Sequence, residues 1–299
     1  PPILDKSHGR RLNTSDAYSI EDVDGLEDFF AEMRECCEIQ GVMADTIISE
    51  LGPGQFEMNL KHVKDPLNAA DQAIWFKRMV KGISRKFDYS STFMAKPYAD
   101  HSGSGFHVHF SLVDKDGNNL FDNGGDEGTD MLRMAIAGMI EIMPECMLMF
   151  APHLNSYHRF QDGSHAPVYA CWGYENRTAA VRVPESDPEA RRIEHRVSGA
   201  DANPYLVLAA VLTGALWGIE NQLDAPPDIE GDAYAIADES IRLPSSWRVA
   251  IDRLEGSRAL RHYLGDQFVD VLCAVKRHEH SILSKKISDI EYESYLGLL

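Results

Sequence analysis

No stretch of this sequence is apolar for long enough to span a bilayer, and its N-terminus lacks a secretory leader pattern. A membrane protein is not expected, and a cytoplasmic one is. The five cysteines, Cys36, Cys37, Cys146, Cys171 and Cys273, are odd in number and contain no CxxC pair. That excludes a disulfide framework or zinc knuckle and fits reduced thiols. GxxxxGK and HExxH are both missing, which removes the phosphate-loop and zincin readings. No internal repeat and no low-complexity segment interrupts the chain, so its 299 residues read as one domain. Positive charge is scarce: the net charge of −18 argues against a nucleic acid or an anionic membrane as partner, while leaving room for a local basic pocket. Lysine is absent from the whole stretch between Lys115 and Lys276.

Arginine fills that gap. Arg159, Arg177, Arg182, Arg191, Arg192 and Arg196 all fall between Asn155 and Arg196. Guanidinium binds carboxylate and phosphate through paired hydrogen bonds and stays charged when partly buried. In Arg192-Ile193-Glu194-His195-Arg196 the period of a strand puts Arg192, Glu194 and Arg196 on one face. By itself such a face reads as a self-neutralising ladder, and the local arginine excess shifts the reading toward an anion site.

Gly103-Ser104-Gly105-Phe106-His107-Val108-His109-Phe110-Ser111 is the stretch about which the rest is arranged. Phe106, Val108 and Phe110 alternate with His107, His109 and Ser111, predicting a strand with an apolar face and an imidazole face. Paired imidazoles hold a metal or a phosphate, or they are simply two satisfied histidines on an exposed face. Upstream, Glu50 and Glu57 flank Gly52-Pro53-Gly54-Gln55. A tight hairpin about Pro53-Gly54 makes them direct cross-strand partners about 5 Å apart. Two opposed carboxylates then need a shared cation, or else each faces water. Pro53-Gly54 suits a type II turn, which is not the favoured hairpin turn.

Around these motifs, Pro1 to Tyr18 reads as irregular, and Ser19 caps a helix that stops at Gly41. Asp65-Pro66 opens a helix to about Lys86, and Thr92-Phe93-Met94 reads as a short strand. Thr129 to Phe150 is a buried helix expected to break near Pro144. Asn203-Pro204 starts an apolar helix to about Glu220. Trp247 to Leu264 is helical in two pieces, and a last helix runs from about Asp266 to Lys286.

The stretches ELGPGQFE from Glu50, TFMAKPYADHSGSGFHVHFSL from Thr92, NSYHRF from Asn155, ENRTAAVRVP from Glu175, RRIEHR from Arg191 and ADANPYLVLAAVL from Ala200 together resemble the catalytic domain of the glutamine synthetase family. APHLNSYHRF and APVYACWGYENR resemble its γ-glutamyl-polyamine (γ-glutamylputrescine) ligase branch. The resemblance implies an α+β fold in which a curved, mainly antiparallel sheet forms an open barrel with outer helices, residues from about 200 to 299 being mainly helical. It implies ATP-dependent ligation of glutamate to a primary amine or polyamine through γ-glutamyl phosphate, with two or more Mg²⁺ or Mn²⁺ ions.

By the same resemblance Glu50 and Glu57 ligate one cation, and His107 and Glu194 ligate the other. His109 and Ser111 lie beside the nucleotide. Gly103, Arg159 and Arg196 contact glutamate, and Arg177, Arg182 and Arg192 gather the phosphates. Arg177, Arg182 and His165, which stands at the place of a flap glutamate, are the expected catalytic residues. Ser102 and Glu189 stand where relatives carry an asparagine and a lysine. The family's small N-terminal β-domain and a strand with two more metal-ligand glutamates precede the point where this chain begins, so a fragment that alone is weak or inactive is expected, taken from a ring-stacked homo-oligomer, a dodecamer.

Three rival readings stand beside this: glutamine synthetase using ammonium, a catalytically silent family member, and a cupin-like oxygenase using His107, His109 and Asp114. The long helices exclude the cupin. His165, mostly uncharged near neutrality, draws ammonium poorly, while Tyr169, Trp172 and Tyr174 either wall an amine pocket or pack the core.

Overall fold

A computed structural model describes residues 17–236 and 238–298, so the irregular stretch expected from Pro1 lies outside the described residues up to position 16. Ser19 accepts from the Asp22 N–H and starts α1 (Ile20–Asp24), but the chain turns at Gly25, and α2 (Glu27–Gln40) begins afresh. The single helix expected here is therefore two. Gly41 ends α2 at φ +69°, a left-handed cap that glycine adopts without steric cost. The hairpin β1 (Ala44–Ser49) and β2 (Phe56–Leu60) follows. Asp65 then caps α3 (Pro66–Lys86) through the Leu67 N–H. Phe30, Met33 and Cys37 of α2 pack against Met79 and Ile83 of α3 and the inner face of the hairpin, forming a small core.

The larger core surrounds α4 (Asp130–Phe150), which Thr129 caps through the Leu132 N–H. Pro144 does not break it. An internal proline costs a helix ~3 kcal/mol, but Met143, Cys146, Met147 and Leu148 around it are all buried, and each fully buried side chain of that size returns about 1.5–3 kcal/mol. Against α4 lies α5 (Pro204–Glu220), capped by Asn203. The two approach at backbone contact: a Cβ on Gly218 would lie 1.9 Å from the Met134 carbonyl oxygen, and one on Gly138 2.2 Å from that of Gly214. Beyond them come α6 (Trp247–Glu255), α7 (Arg258–Leu264), α8 (Asp266–Leu283) and α9 (Asp289–Tyr295), the last unanticipated and closed by a Ser288–Glu291 capping box. No helix of the described residues is long and apolar enough to cross a membrane.

The sheet on α4 comprises β3 (Val108–Phe110), β4 (Trp172–Tyr174), β5 (Val181–Val183) and β6 (Ile193–His195), in spatial order β3-β6-β5-β4. Both pairings of β6 are antiparallel and β4–β5 is parallel. It is a small mixed sheet that does not close into the expected open barrel. Its strands are three residues long, too short to wrap round, and the outer edge of β4 is covered by an irregular segment whose Ile229 N–H bonds the Trp172 carbonyl. Thr92 to Met94, expected as a strand, is irregular.

Candidate active site

Strand register builds the centre of the site. His109 on β3 and Arg182 on β5 both stand opposite Glu194 on β6, so a row of side chains crosses three strands on one face. His107 lies two residues before His109, and Arg196 two after Glu194, which adds both to that face. Val108, Val181, Val183 and Ile193 occupy the other face and enter the main core. Glu194 is only 2% exposed, yet its carboxylate is surrounded by donors. Arg196 Nη1 reaches Oε1 at 2.5 Å, Arg182 Nη1 reaches Oε2 at 2.9 Å, and His107 Nδ1 lies 3.3 Å from Oε1. His109 Nε2 is 3.8 Å from the same oxygen.

Burial alone would push the Glu194 carboxyl up, but the His107 hydrogen bond and the Arg196 charge outweigh it and hold it well below the usual carboxylate range. Burial lowers His107 to about 4 against the opposing pull of Glu194, and it lowers His109 too. Both rings are thus neutral near pH 7. With Nδ1–H given to Glu194, the His107 Nε2 lone pair is an acceptor. Gly105 leaves room next to it: a Cβ there would lie 3.1 Å from Nε2 and 3.0 Å from Arg159 Nη2.

The arginines divide. Arg192 does not join Glu194 as its spacing suggests; its Nε donates to His109 Nδ1 at 3.3 Å and its Nη1 to the Ala190 carbonyl. Arg182 takes its place from the neighbouring strand. Arg159 is buried and fixed by the carbonyls of Val197 (2.6 Å) and Arg196 (3.3 Å), and burial lowers its guanidinium to about 10. A Cβ at Gly103 would collide with Arg159 Cγ at 2.8 Å and the Ala95 oxygen at 2.7 Å. Arg177 is exposed and donates to the Tyr18 hydroxyl. Ser111 is exposed just beyond β3. His165 sits on an exposed loop at φ +61°, near enough for its charge to act on Glu50.

The hairpin presents the remaining carboxylates in a different register from the one expected. Glu57 stands opposite Ile48, and the Glu50 N–H donates to the Gln55 carbonyl, so Glu50 and Glu57 are diagonal neighbours rather than direct partners. The expected type II turn forms, with Gly54 at φ +73°, but Leu51 lies between its closing bond and the ladder. Because the slip is two residues, both carboxylates still share a face. Burial raises Glu50, partly offset by the Leu51 N–H, His165, Arg177 and Arg196. Glu57 is raised by burial, then by Glu50 and by Glu194. Glu57 on the hairpin therefore feels the sheet carboxylate.

Two residues in the site escaped the sequence reading. Gln55 ties the hairpin turn to Gly103, donating from Nε2 to the Gly103 carbonyl. Glu175, at φ +50°, receives Arg182 Nη2 at 2.8 Å and the Glu185 N–H. Only its place seven residues before Arg182 in a strand–turn–strand unit hinted at this. The aromatics proposed as an amine wall are otherwise engaged. Tyr169 and Trp172 are buried in core clusters, and the Tyr174 hydroxyl bonds the Glu127 carbonyl.

Oxygen-rich donors with one imidazole suit Mg²⁺ or Mn²⁺. The repulsion that Glu57 feels from Glu50 and Glu194 and the open side of His107 Nε2 fit cations on this face. Among the described residues no three His, Cys, Asp or Glu side chains gather closely enough to hold an ion by themselves. The donors come as two pairs.

Known proteins resemble the chain over nearly its whole length. Residues 2–295 match the family described as glutamine synthetase, catalytic domain. The chain is 38% identical over 293 residues to gamma-glutamylputrescine synthetase PuuA of Escherichia coli (strain K12), covering 98% of this chain and 61% of that protein. It is 36% identical to glutamate–isopropylamine ligase of Pseudomonas sp, covering 94% and 62%. Glutamine synthetase of Halobacterium salinarum is 32% identical, over 93% and 63%. The chain thus spans about three fifths of the length of these relatives. The solved structure of GmaS without ligand superposes with a TM-score of 0.86 at 28% identity, over 98% of this chain and 69% of that one. The chain belongs to the glutamine synthetase family and matches its catalytic domain.

Proposed function

We propose that the protein carrying this chain is an ATP-dependent ligase that joins the γ-carboxylate of glutamate to a primary amine or polyamine. The observation that carries this reading is the face on which Arg182 and Arg196 bracket buried Glu194 beside neutral His107 and His109. Such a face gathers anions out of water, where oriented donors act most strongly. The names of the relatives, which include glutamate ligases for putrescine, isopropylamine and ethanolamine, support an amine acceptor.

In the first step a γ-carboxylate oxygen attacks the terminal phosphorus of ATP, the bond to ADP breaks, and γ-glutamyl phosphate forms. In the second, the amine nitrogen attacks the acyl carbon, the bond to phosphate breaks, and the amine loses a proton. Arg159, Arg196 and Gly103 seat glutamate, Arg177, Arg182 and Arg192 gather phosphate oxygens, and His109 and Ser111 border the nucleotide. Glu50 with Glu57, and His107 with Glu194, would hold the divalent ions, which supply charge neutralisation at the phosphoryl oxygens. His165 takes the amine proton. We infer further that the working form is a cytoplasmic homo-oligomer of stacked rings. Purified full-length protein given ATP, glutamate and Mn²⁺ should release phosphate only when putrescine, isopropylamine or ethanolamine is added. Faster release with ammonium than with every amine would favour glutamine synthesis instead.

A further inference from the structure

Gln55 belongs to neither pair of carboxylate or imidazole donors, yet it contacts both halves of the site. A primary amide offers an acceptor and two donors at one end of a short stem, and here the acceptor and the donor nitrogen are both engaged. Oε1 accepts from the Gly52 N–H at 3.0 Å, and Nε2 donates to the Gly103 carbonyl at 3.0 Å with the Ser104 hydroxyl at 3.4 Å. The backbone of Gln55 is equally committed. Its N–H closes the turn onto the Gly52 carbonyl at 2.8 Å, and its carbonyl receives the Glu50 N–H at 2.9 Å. One residue therefore fixes the backbone of Glu50 and the backbone of Gly103.

Neither end of this link has slack. A Cβ on Gly52 would lie 2.7 Å from Gln55 Oε1, and one on Gly103 2.8 Å from Arg159 Cγ. The Ser104 N–H is pinned to the Ala95 carbonyl at 2.8 Å, so the Gly103 carbonyl cannot swing away alone. A displacement of the hairpin passes through the amide to Gly103 and on to the buried Arg159. Close-packed interiors transmit such shifts rather than absorb them.

We propose that Gln55 is a positioning residue that links the Glu50–Glu57 hairpin to the Gly103–Arg159 carboxylate seat, so that divalent cation and glutamate each tighten the binding of the other. The proposal rests on the ligase reading for the identity of the two ligands. Linkage requires the effect to be reciprocal.

The test is calorimetric titration of Mn²⁺ into the full-length protein, without nucleotide, in the presence and absence of glutamate. Wild type should bind Mn²⁺ tighter with glutamate present, by a factor within the roughly 5–150-fold usual for linked sites. In Gln55→Ala that factor should fall to about one. Gln55→Glu keeps the acceptor for the Gly52 N–H at the same length but turns a second acceptor toward the Gly103 carbonyl, and it should lose the linkage whatever its Tm. Both variants should raise the KM for glutamate and leave the KM for ATP unchanged. A lowered Tm with the linkage intact in either variant would reduce Gln55 to a structural role and overturn the proposal, as would a wild type that binds Mn²⁺ equally with and without glutamate. Because these titrations involve no turnover, a protein that fails to release phosphate with amines would refute the ligase reading while leaving this measurement valid.

Discussion

Glu194 stays charged in a buried site because two guanidiniums and an imidazole N–H offset what desolvation costs it. Removing one member of such a cluster strands the others. Glu194→Gln should therefore destabilise the fold by about 3–5 kcal/mol, the usual cost of breaking a buried pair, and a urea titration at neutral pH would show the lower midpoint. His195, on the opposite face of β6, carries two ring nitrogens that are buried without a hydrogen-bond partner, and its ring lies tilted against Phe150. Burial pushes its pKa down to about 3. Its folded value lies below the unfolded one near 6.5, so the unfolded chain binds the extra proton. Its contribution to stability is thus intact above about pH 6.5 and is lost as pH falls from there toward 3. His195→Phe should flatten the fall in urea midpoint between pH 7 and pH 5; an unchanged slope would mean that another group sets it. At this scale the sequence exposed the residue types and their faces. It did not reveal that Arg182 rather than Arg192 would meet Glu194, because that choice depends on a pairing between β5 and β6 that no local spacing encodes.

At the scale of elements, local signals marked the beginnings of helices well. Ser19, Asp65, Thr129 and Asn203 each accept a hydrogen bond from the first turn they precede. What local rules missed was decided by packing. Pro144 survives inside α4 because the helix is buried on both sides of it, and the hairpin register followed the extra residue at Leu51 rather than the turn alone. The contact between α4 and α5 was invisible in sequence, since Gly138, Gly214 and Gly218 read merely as poor helix formers. Their absent side chains let the helices touch. Gly218→Ala puts a methyl group 1.9 Å from the Met134 carbonyl oxygen. It should lower stability by about 1–3 kcal/mol, the cost of overpacking, despite alanine's better helix propensity. Thermal unfolding would check this, and a Tm at or above wild type would show that the helices separate freely.

For the whole molecule, the α+β class and the family were legible because six motifs occur in one order, although each alone is weak. The open barrel that the resemblance implied does not form, and the small mixed sheet in its place has its outer edge covered by the segment around Ile229. The proposed amine preference belongs to this scale too, since on that reading it rests on the loop whose His165 acts on Glu50. His165→Glu should shift kcat/KM toward ammonium and away from alkylamines, because a carboxylate adds a negative charge that attracts the small cation. An unaltered preference in steady-state kinetics would move the determinant elsewhere. The central claim is that glutamate is activated as an acyl phosphate before the amine attacks. It is tested most directly by supplying glutamate labelled with ¹⁸O in its γ-carboxylate to the full-length protein, with ATP, Mn²⁺ and putrescine, and weighing the phosphate released. The account predicts one labelled oxygen in each phosphate formed along with the amide; amide formed with wholly unlabelled phosphate would contradict it.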